Sequence, residues 1–232
     1  MTLFVGSEEF FPTIRRVKDM TEVMIDRPWL NNEADMGKEL YYMFRGISLL
    51  EDEKTIKESK LRYDITIIPP FMLGREFVKT AGHYHPDVPG TDVTYTEIYE
   101  VLYGKALYLM QKVIGNKVID AYFVEANAGD KIIIPPGYGH ITINRSDEPI
   151  VMANWVASNF SSDYEPLKLT RGGCFFVLKD KILKNENYDN VPAPEFRKPA
   201  TVLGSEPMYK LVEKIEKLDF LTAPQNHRDV FL

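Results

Sequence analysis

Cysteine is nearly absent from this sequence. The one cysteine in 232 residues, Cys174, can form neither an internal disulfide nor a Cys-rich zinc site. It lies in the apolar segment GGCFFV, which predicts a small buried side chain. A chain without a disulfide framework suits a reducing compartment, so we expect a cytoplasmic protein.

Long apolar runs and an excess of positive charge are also missing. The longest apolar stretch, residues 149–157, is well below the roughly 18 residues of a membrane span. Twenty-eight Lys and Arg against 34 Asp and Glu give a net charge of −6. The chain therefore has no global field that would hold a nucleic acid or an anionic membrane, and any anionic substrate must be bound locally.

Short β-branched and aromatic runs, separated by Gly, Pro, Asn and Asp, fill residues 62–177 and are typical of strands. Gly115-Asn116 lies between two of these runs and predicts a hairpin turn in which glycine supplies a positive φ. Strands spaced in this way predict an all-β sandwich or barrel. The predicted strands are 62–68, 97–103, 105–113, 117–124, 131–134, 140–144 and 149–157.

The flanking regions have other patterns. Residues 17–45 mix apolar and charged positions and predict one or two short helices, whereas the charged run 51–60 predicts a solvated connection. Residues 188–200 contain three prolines and predict an extended connector. After a potential N-cap at Ser205, a stripe at helical spacing predicts a helix that packs on the core or on a second subunit. Its members are Met208, Leu211, Val212, Ile215 and Leu218.

Only four histidines occur, and three of them lie among the predicted strands. His83 and His85 alternate in GHYH, so on a strand both imidazoles point to the same face. Glu97 begins the next strand and can turn its carboxylate toward that face. Two histidines on a strand surface need no metal, so this pattern alone leaves an ordinary surface pair open.

A second segment makes the pattern more specific. In GDKIIIPPGYGHITIN (129–144), glycines permit turns, Pro135 ends strand pairing, and His140 begins a strand. This segment resembles the second cupin motif at each of its fixed positions, which are Gly129, Pro135, Gly137, His140 and Asn144. The chain also resembles the first cupin motif, through His83, His85, Glu97 and Gly104. The gap between His85 and Glu97 is longer than in that motif, so Glu100 is an alternative for the position of the glutamate.

The resemblance to cupins implies a double-stranded β-helix, which is a jelly-roll-like barrel, with short flanking helices and a C-terminal helical extension. We expect an N-terminal extension over 1–60, the barrel over 61–182, and a connector and helix over 183–232. The metal ligands implied are His83, His85, Glu97 and His140. Three imidazoles and one carboxylate suit one divalent ion, with Fe(II) as our first expectation and Mn(II), Ni(II) or Zn(II) as alternatives.

Among cupins, the chain resembles the phosphoglucose isomerases known mainly from archaea. The likeness runs from about Tyr41 to Phe176 and rests on GREFVKTAGHYH, TEIYEVLYGKA and PPGYGHITIN. It implies a homodimer that interconverts glucose 6-phosphate and fructose 6-phosphate in glycolysis and gluconeogenesis. Hydroxyls and backbone N–H groups can hold a phosphate without a cluster of Arg. The substrate and phosphate contacts implied are Thr66, Thr80, Gly82, Tyr99 and Tyr164.

The implied reaction moves a hydrogen between C1 and C2 of the sugar. A metal that chelates the oxygens on those carbons would stabilise an enediolate, and Glu97 is the candidate catalytic residue that carries the proton. A metal-assisted hydride shift is the rival route, and the sequence leaves both open.

Two positions depart from the family pattern. Val156 stands where the family has a tyrosine and Ser162 where it has a histidine, both near the sugar, while Tyr41 and Tyr42 compete for one further pocket position. These departures keep three alternatives open. They are an isomerase or epimerase of another sugar phosphate such as mannose 6-phosphate, a cupin dioxygenase with an apolar pocket, and a non-catalytic cupin that binds sugar phosphate.

Overall fold

The computed structural model describes residues 1–199 and 203–231. Its strands, in chain order, are β1 (Leu3–Val5), β2 (Glu8–Phe10), β3 (Thr13–Arg16), β4 (Glu39–Arg45), β5 (Leu61–Ile68), β6 (Met72–Leu73), β7 (Glu76–Phe77), β8 (Glu97–Tyr103), β9 (Lys105–Ile114), β10 (Lys117–Asn127), β11 (Lys131–Ile134), β12 (Tyr138–Ile143), β13 (Ile150–Ala157), β14 (Phe175–Val177), β15 (Ile182–Lys184) and β16 (Phe196–Arg197). The α-helices are α1 (Arg27–Asn32), α2 (Glu53–Glu58), α3 (Glu165–Leu169) and α4 (Asp219–Thr222). Turns of 3-10 helix span Val17–Asp19, Thr21–Val23, Met208–Leu218, Pro224–Asn226 and Arg228–Phe231.

Two largely antiparallel sheets form a barrel with jelly-roll connections. Sheet A has the strand order β11-β8-β13-β5-β4-β3, and sheet B has the order β12-β9-β10-β16. The consecutive strands β8 and β9 lie in different sheets, where β8 pairs with β11 and β13 while β9 pairs with β10 and β12. This nesting, with its short flanking helices, is the cupin-type barrel expected from the sequence.

The strands predicted from local patterns are present. β8 and β11 have the predicted bounds, and the five other strands begin or end within three residues of the prediction. The hairpin turn is also confirmed, because Ile114 and Lys117 pair across Gly115-Asn116 and Gly115 has a φ of +61°. Glycine has no Cβ and adopts this left-handed conformation without strain.

Three expectations for the flanks need correction. Residues 17–45 contain the short helix α1, but 39–45 form the strand β4, which pairs with β3 and β5 inside sheet A. The run 51–60 contains α2, which is anchored by the buried side chain of Ile56. The connector 188–200 contributes β16 to the edge of sheet B. The domain boundaries after residues 60 and 182 stay predictions.

The C-terminal stripe covers the outer face of sheet A. Met208 and Leu218 are buried against residues of that face, and Trp155 Nε1 donates a hydrogen bond of 3.0 Å to the Met208 carbonyl. The stripe therefore packs on the core of its own chain. Two details of the prediction were wrong, because the segment is 3-10 helix with a break at Lys214, and its N-cap is Pro207 instead of Ser205.

The space between the two sheets is filled by a continuous apolar cluster at one end of the barrel. Ile68, Tyr108, Met110, Phe123 and Ile150 are each fully buried there. Burying these large side chains is the main favourable contribution to folding. Among the described residues, none of the helices is long and apolar enough to cross a membrane.

Candidate metal centre and active site

A cavity of about 330 Å³ occupies the polar end of the barrel. Side chains alternate along a strand, so every second residue of β5 and β13 points into the barrel. On β5 the cavity side carries polar groups, and on β13 it carries Met152, Asn154 and Val156. All of the predicted site residues line this one cavity, and they are Thr66, Thr80, Gly82, His83, His85, Glu97, Tyr99, His140 and Tyr164.

The four predicted metal ligands meet at one point of the cavity wall. His83 lies in an extended segment that pairs with His140 on β12, His85 follows two residues later, and Glu97 begins β8. Glu97 Oε2 lies 3.3 Å from the Nε2 atoms of His85 and His140 and 3.8 Å from that of His83. One ligand atom from each residue lies within 4.8 Å of the others.

The hydrogen bonds around this cluster fix the tautomer of His85 and leave one carboxylate oxygen without a donor. His85 Nδ1 lies 3.1 Å from the Tyr95 carbonyl, which only accepts, so Nδ1 carries the proton and the Nε2 lone pair faces the cluster. Glu97 Oε2 is buried and has no well-aligned hydrogen-bond partner among the described residues. A buried carboxylate oxygen without a donor is costly, and a cation would satisfy it.

The electrostatics also favour the metal-binding forms of these residues. Burial, followed by the neighbouring imidazoles, lowers the pKa of His83, and burial lowers the pKa of His140. Burial alone would raise the pKa of Glu97, but the imidazoles of His140 and His85 hold it below its usual range. Neutral imidazoles and an ionised carboxylate are the forms that bind a divalent ion, so this set of residues fits a metal.

Glu97 and Glu100 lie on opposite faces of β8 because they are three positions apart on a strand whose side chains alternate. Glu97 is 4% exposed and faces the cluster, whereas Glu100 accepts the Met208 backbone N–H at 2.7 Å on the outer face of sheet A. The competition between these two carboxylates is therefore decided by the geometry, which brings only Glu97 into the cavity.

A group of hydrogen-bond donors lies beside the cluster. Thr80 Oγ1 accepts the Thr142 N–H at 3.0 Å, and the Tyr41 hydroxyl oxygen accepts the Ala81 N–H at 3.1 Å. Each hydroxyl keeps its own hydrogen for a ligand in the cavity. Tyr42 bonds Glu39 instead, so Tyr41 is the tyrosine that lines the cavity. We call Tyr41, Thr80, Gly82 and Tyr164 the donor nest.

Glycine is required at position 82 of the donor nest. Gly82 has a φ of +73°, and a Cβ there would overlap the side chains of Ile141 and Leu167. A larger residue would therefore force the backbone of the donor nest to move.

Three arginines also line the cavity, although hydroxyls and backbone N–H groups alone can hold a phosphate. Arg15, on β3, has its guanidinium carbon 5.3 Å from the ring centroid of Tyr164, and its Nε is buried without a hydrogen-bond partner among the described residues. Arg45 ends β4, and Arg62 lies near the start of β5. The sequence contained a signal that Arg62 and Asp64 line the cavity with Thr66. Residues 62, 64 and 66 share one face of β5, because side chains alternate along a strand.

The two positions that depart from the family pattern also lie at the cavity. Val156 pairs with both Arg62 and Glu97 across neighbouring strands of sheet A, and Ser162 lies in the loop between β13 and α3. Both side chains are smaller than the tyrosine and histidine of the family pattern.

Solved structures that are similar to part of this chain include an oxalate oxidase in complex with the substrate analogue glycolate. It is 22% identical, with a TM-score of 0.36, over 48% of this chain and 49% of that one. A mutant of Bacillus subtilis oxalate decarboxylase is 19% identical, with a TM-score of 0.39, over 57% of this chain and 30% of that one.

Sequence comparison gives a more extensive match. The chain is 30% identical to glucose-6-phosphate isomerase from Thermococcus litoralis over 152 residues, which are 66% of this chain and 73% of that protein. It is 26% identical to the enzyme of the same name from Pyrococcus horikoshii over 181 residues, 76% of this chain and 88% of that protein. A family model described as glucose-6-phosphate isomerase matches residues 14–193. The chain therefore belongs to the glucose-6-phosphate isomerase family and is an isomerase.

Proposed function

We propose that this isomerase interconverts glucose 6-phosphate and fructose 6-phosphate and uses a divalent metal ion. The observation that carries the proposal is the presence, in one cavity, of a metal-ligand cluster and an adjacent donor nest. The names of the related enzymes support the choice of sugar. The polar lining of this cavity does not favour a dioxygenase, for which an apolar pocket was expected.

The donor nest is the place for the substrate phosphate. Its hydroxyl groups and the Gly82 backbone can donate to phosphate oxygens, and Arg15 beside Tyr164 adds a positive charge. The ring centroids of His83 and Tyr164 are 5.5 Å apart, so the nest adjoins the cluster. A phosphate held there would place the carbonyl end of the sugar toward Glu97.

His83, His85, Glu97 and His140 would hold the ion. Once bound, a divalent ion supplies Lewis-acid polarisation of the oxygens on the reacting carbons. Glu97 would move the proton between C1 and C2, since a buried carboxylate within reach of both carbons can act first as base and then as acid. The Tyr99 hydroxyl lies 3.1 Å from His140 Nε2, where it would donate to a sugar oxygen.

Several finer expectations are part of the same proposal. Fe(II) is the first candidate for the native ion, with Mn(II), Ni(II) and Zn(II) as alternatives, because this ligand set suits all four. Assembly as a homodimer and work in the cytoplasm, in glycolysis and gluconeogenesis, are predictions from the sequence. Sedimentation velocity would test the dimer.

Replacing Arg15 tests the assignment of the donor nest. We expect Arg15→Met to raise KM for fructose 6-phosphate about tenfold to a hundredfold with little change in kcat, because a charged hydrogen bond to the phosphate contributes about 1.5–3 kcal/mol. Arg16→Met is the matched control, since the neighbouring Arg16 pairs with Glu39 outside the cavity at 2.8 Å. Equal KM values for the two variants would contradict the assignment.

The proposed function is tested by converting fructose 6-phosphate to glucose 6-phosphate in a coupled dehydrogenase assay. Chelator-stripped protein is reloaded separately with Fe(II), Mn(II), Ni(II) or Zn(II). We expect at least one ion to restore turnover, and His140→Ala to abolish it while His227→Ala retains it. No turnover by folded, metal-loaded protein would overturn the glucose 6-phosphate assignment and favour another sugar phosphate, such as mannose 6-phosphate, or a binding role.

A further inference from the structure

Arg45 and Arg62 line the cavity but have no task in the proposed reaction. They lie on the neighbouring strands β4 and β5 of sheet A, with Asp64 between them. Asp64 is paired with Arg45 across the two strands and lies on the same face of β5 as Arg62. We call Arg45 and Arg62 the mouth arginines. Guanidinium groups on the wall of a substrate cavity are suited to bind an anion such as a phosphate.

Arg62 is held in a fixed position. Its Nε lies 2.9 Å from both carboxylate oxygens of Asp64, and one terminal nitrogen lies 2.9 Å from Oδ2. Asp64 is only 6% exposed and also accepts the Gly46 N–H at 2.9 Å. A guanidinium has five N–H groups, so Arg62 keeps further donors after these bonds.

Arg45 carries a charge without a carboxylate partner among the described residues. Its contact there is with Met43 Sδ at 3.5 Å, and a thioether is a weak acceptor. Asp64, which faces Arg45 in the strand register, is already engaged by Arg62 and by a backbone N–H. The mouth arginines and Asp64 together therefore leave a net positive charge at this side of the cavity.

The mouth arginines lie at the opposite end of the cavity from the donor nest. Arg15 pairs with Tyr41 across β3 and β4, and Arg45 is four residues further along β4. At the rise of a strand, that separation is about 13 Å. Val156 joins Arg62 to Glu97 in one row across sheet A, and Arg45 is in the next row on the same face, with Asp64 and Tyr99, so both arginines lie near the carbonyl end of the proposed substrate.

We propose that the mouth arginines form a second anion site, so that the cavity binds a sugar with a phosphate at each end more tightly than a sugar monophosphate. The proposal rests on the proposed function, because it takes the first phosphate to occupy the donor nest. The apolar side chain of Val156 presents no acceptor of its own between Arg62 and Glu97. Sugar bisphosphates would then be competitive ligands of this isomerase.

The test uses two alditols that cannot isomerise, glucitol 6-phosphate and glucitol 1,6-bisphosphate, which differ only in the second phosphate. Their affinities for the metal-loaded protein are measured by isothermal titration calorimetry. We expect the bisphosphate to bind at least about tenfold more tightly, since one charged hydrogen bond has about that effect. Arg45→Met should remove the difference and leave the affinity for the monophosphate unchanged.

Arg45 is the residue to replace because its removal leaves no buried partner, whereas loss of Arg62 would leave Asp64 uncompensated. Arg228→Met, which removes an equal charge from an exposed C-terminal turn, should keep the preference. Equal affinities of the wild-type protein for the two alditols would overturn the second anion site. An equal loss of both affinities in Arg45→Met would also overturn it, because the mouth would then hold the single phosphate. Failure of the wild-type protein to bind either alditol would count against the proposed function itself.

Discussion

Glu97→Gln is expected to lower kcat by about a thousandfold with little change in KM. An amide at this position cannot accept a proton from the sugar, and a positioned general base contributes a factor of about a hundred to ten thousand. Among the described residues, Glu97 has no neighbour that could replace it, because the other carboxylate in the cavity lining, Asp64, is engaged by Arg62. The measurement is a steady-state assay with fructose 6-phosphate, expressed per bound metal ion.

Dividing the measured turnover by the amount of bound metal separates two roles of Glu97. As a ligand, the residue affects how much metal the protein holds, whereas as a proton carrier it affects turnover by protein that is fully loaded. Glu125→Gln is the matched control, because this exposed carboxylate pairs with Arg145 at 2.8 Å, outside the cavity. Near-normal kcat in fully loaded Glu97→Gln would contradict the proton route and favour the hydride shift.

The ligand cluster could be predicted from sequence because each half of it is a local pattern. His83 and His85 share a face through strand alternation, and His140 follows a glycine and proline turn at fixed spacing. The bounds of β8 and β11 were predicted for the same reason, since period-two patterns and turn residues act over a few positions. That His140 lies beside His83 and His85 in the folded chain could be predicted only from the resemblance to cupins.

The arginines of the cavity depend on contacts that are distant in sequence. Arg15 reaches the donor nest only because β3 pairs with β4 at the edge of sheet A, and β4 was itself hidden in a segment with mixed apolar and charged residues. Arg62 lies next to a charged run that was interpreted as a solvated connection. Charge in a short window does not distinguish a solvated side chain from one that faces a cavity, so the register of β3 with β4 was needed for Arg15. For Arg62, alternation along the predicted strand 62–68 already placed it on the face of Thr66.

The C-terminal stripe shows a similar limit. Its spacing predicted a helix with one apolar face, and that face does pack on Trp155 and its neighbours. Helix type and starting point depend on how the segment fits the outer face of sheet A, where Met208 exchanges hydrogen bonds with Trp155 and Glu100. Those are tertiary contacts, and Ser205 had only a local preference in its favour.

Lys79→Met is expected to destabilise the protein by about 3–5 kcal/mol. Lys79 and Glu76 form an ion pair of 2.7 Å in which both residues are almost fully buried, at 4% and 1% exposure. Glu76 also accepts the Ile25 N–H at 2.9 Å, so the pair ties the N-terminal segment to the barrel. Removing only the lysine leaves a buried charge without its counter-ion, which costs far more than the loss of a surface pair.

The double variant Glu76→Gln with Lys79→Met separates loss of the counter-ion from loss of packing. An amide oxygen at position 76 can still accept the Ile25 N–H, and no buried charge remains, so we expect stability to recover to within about 2 kcal/mol of the wild-type protein. Arg145→Met, at an exposed pair with Glu125, should change stability by less than about 0.5 kcal/mol. All variants are compared by equilibrium unfolding in urea. If Lys79→Met and the double variant were equally unstable, the loss would come from the packing of the lysine stem against Phe176, and not from the uncompensated charge of Glu76.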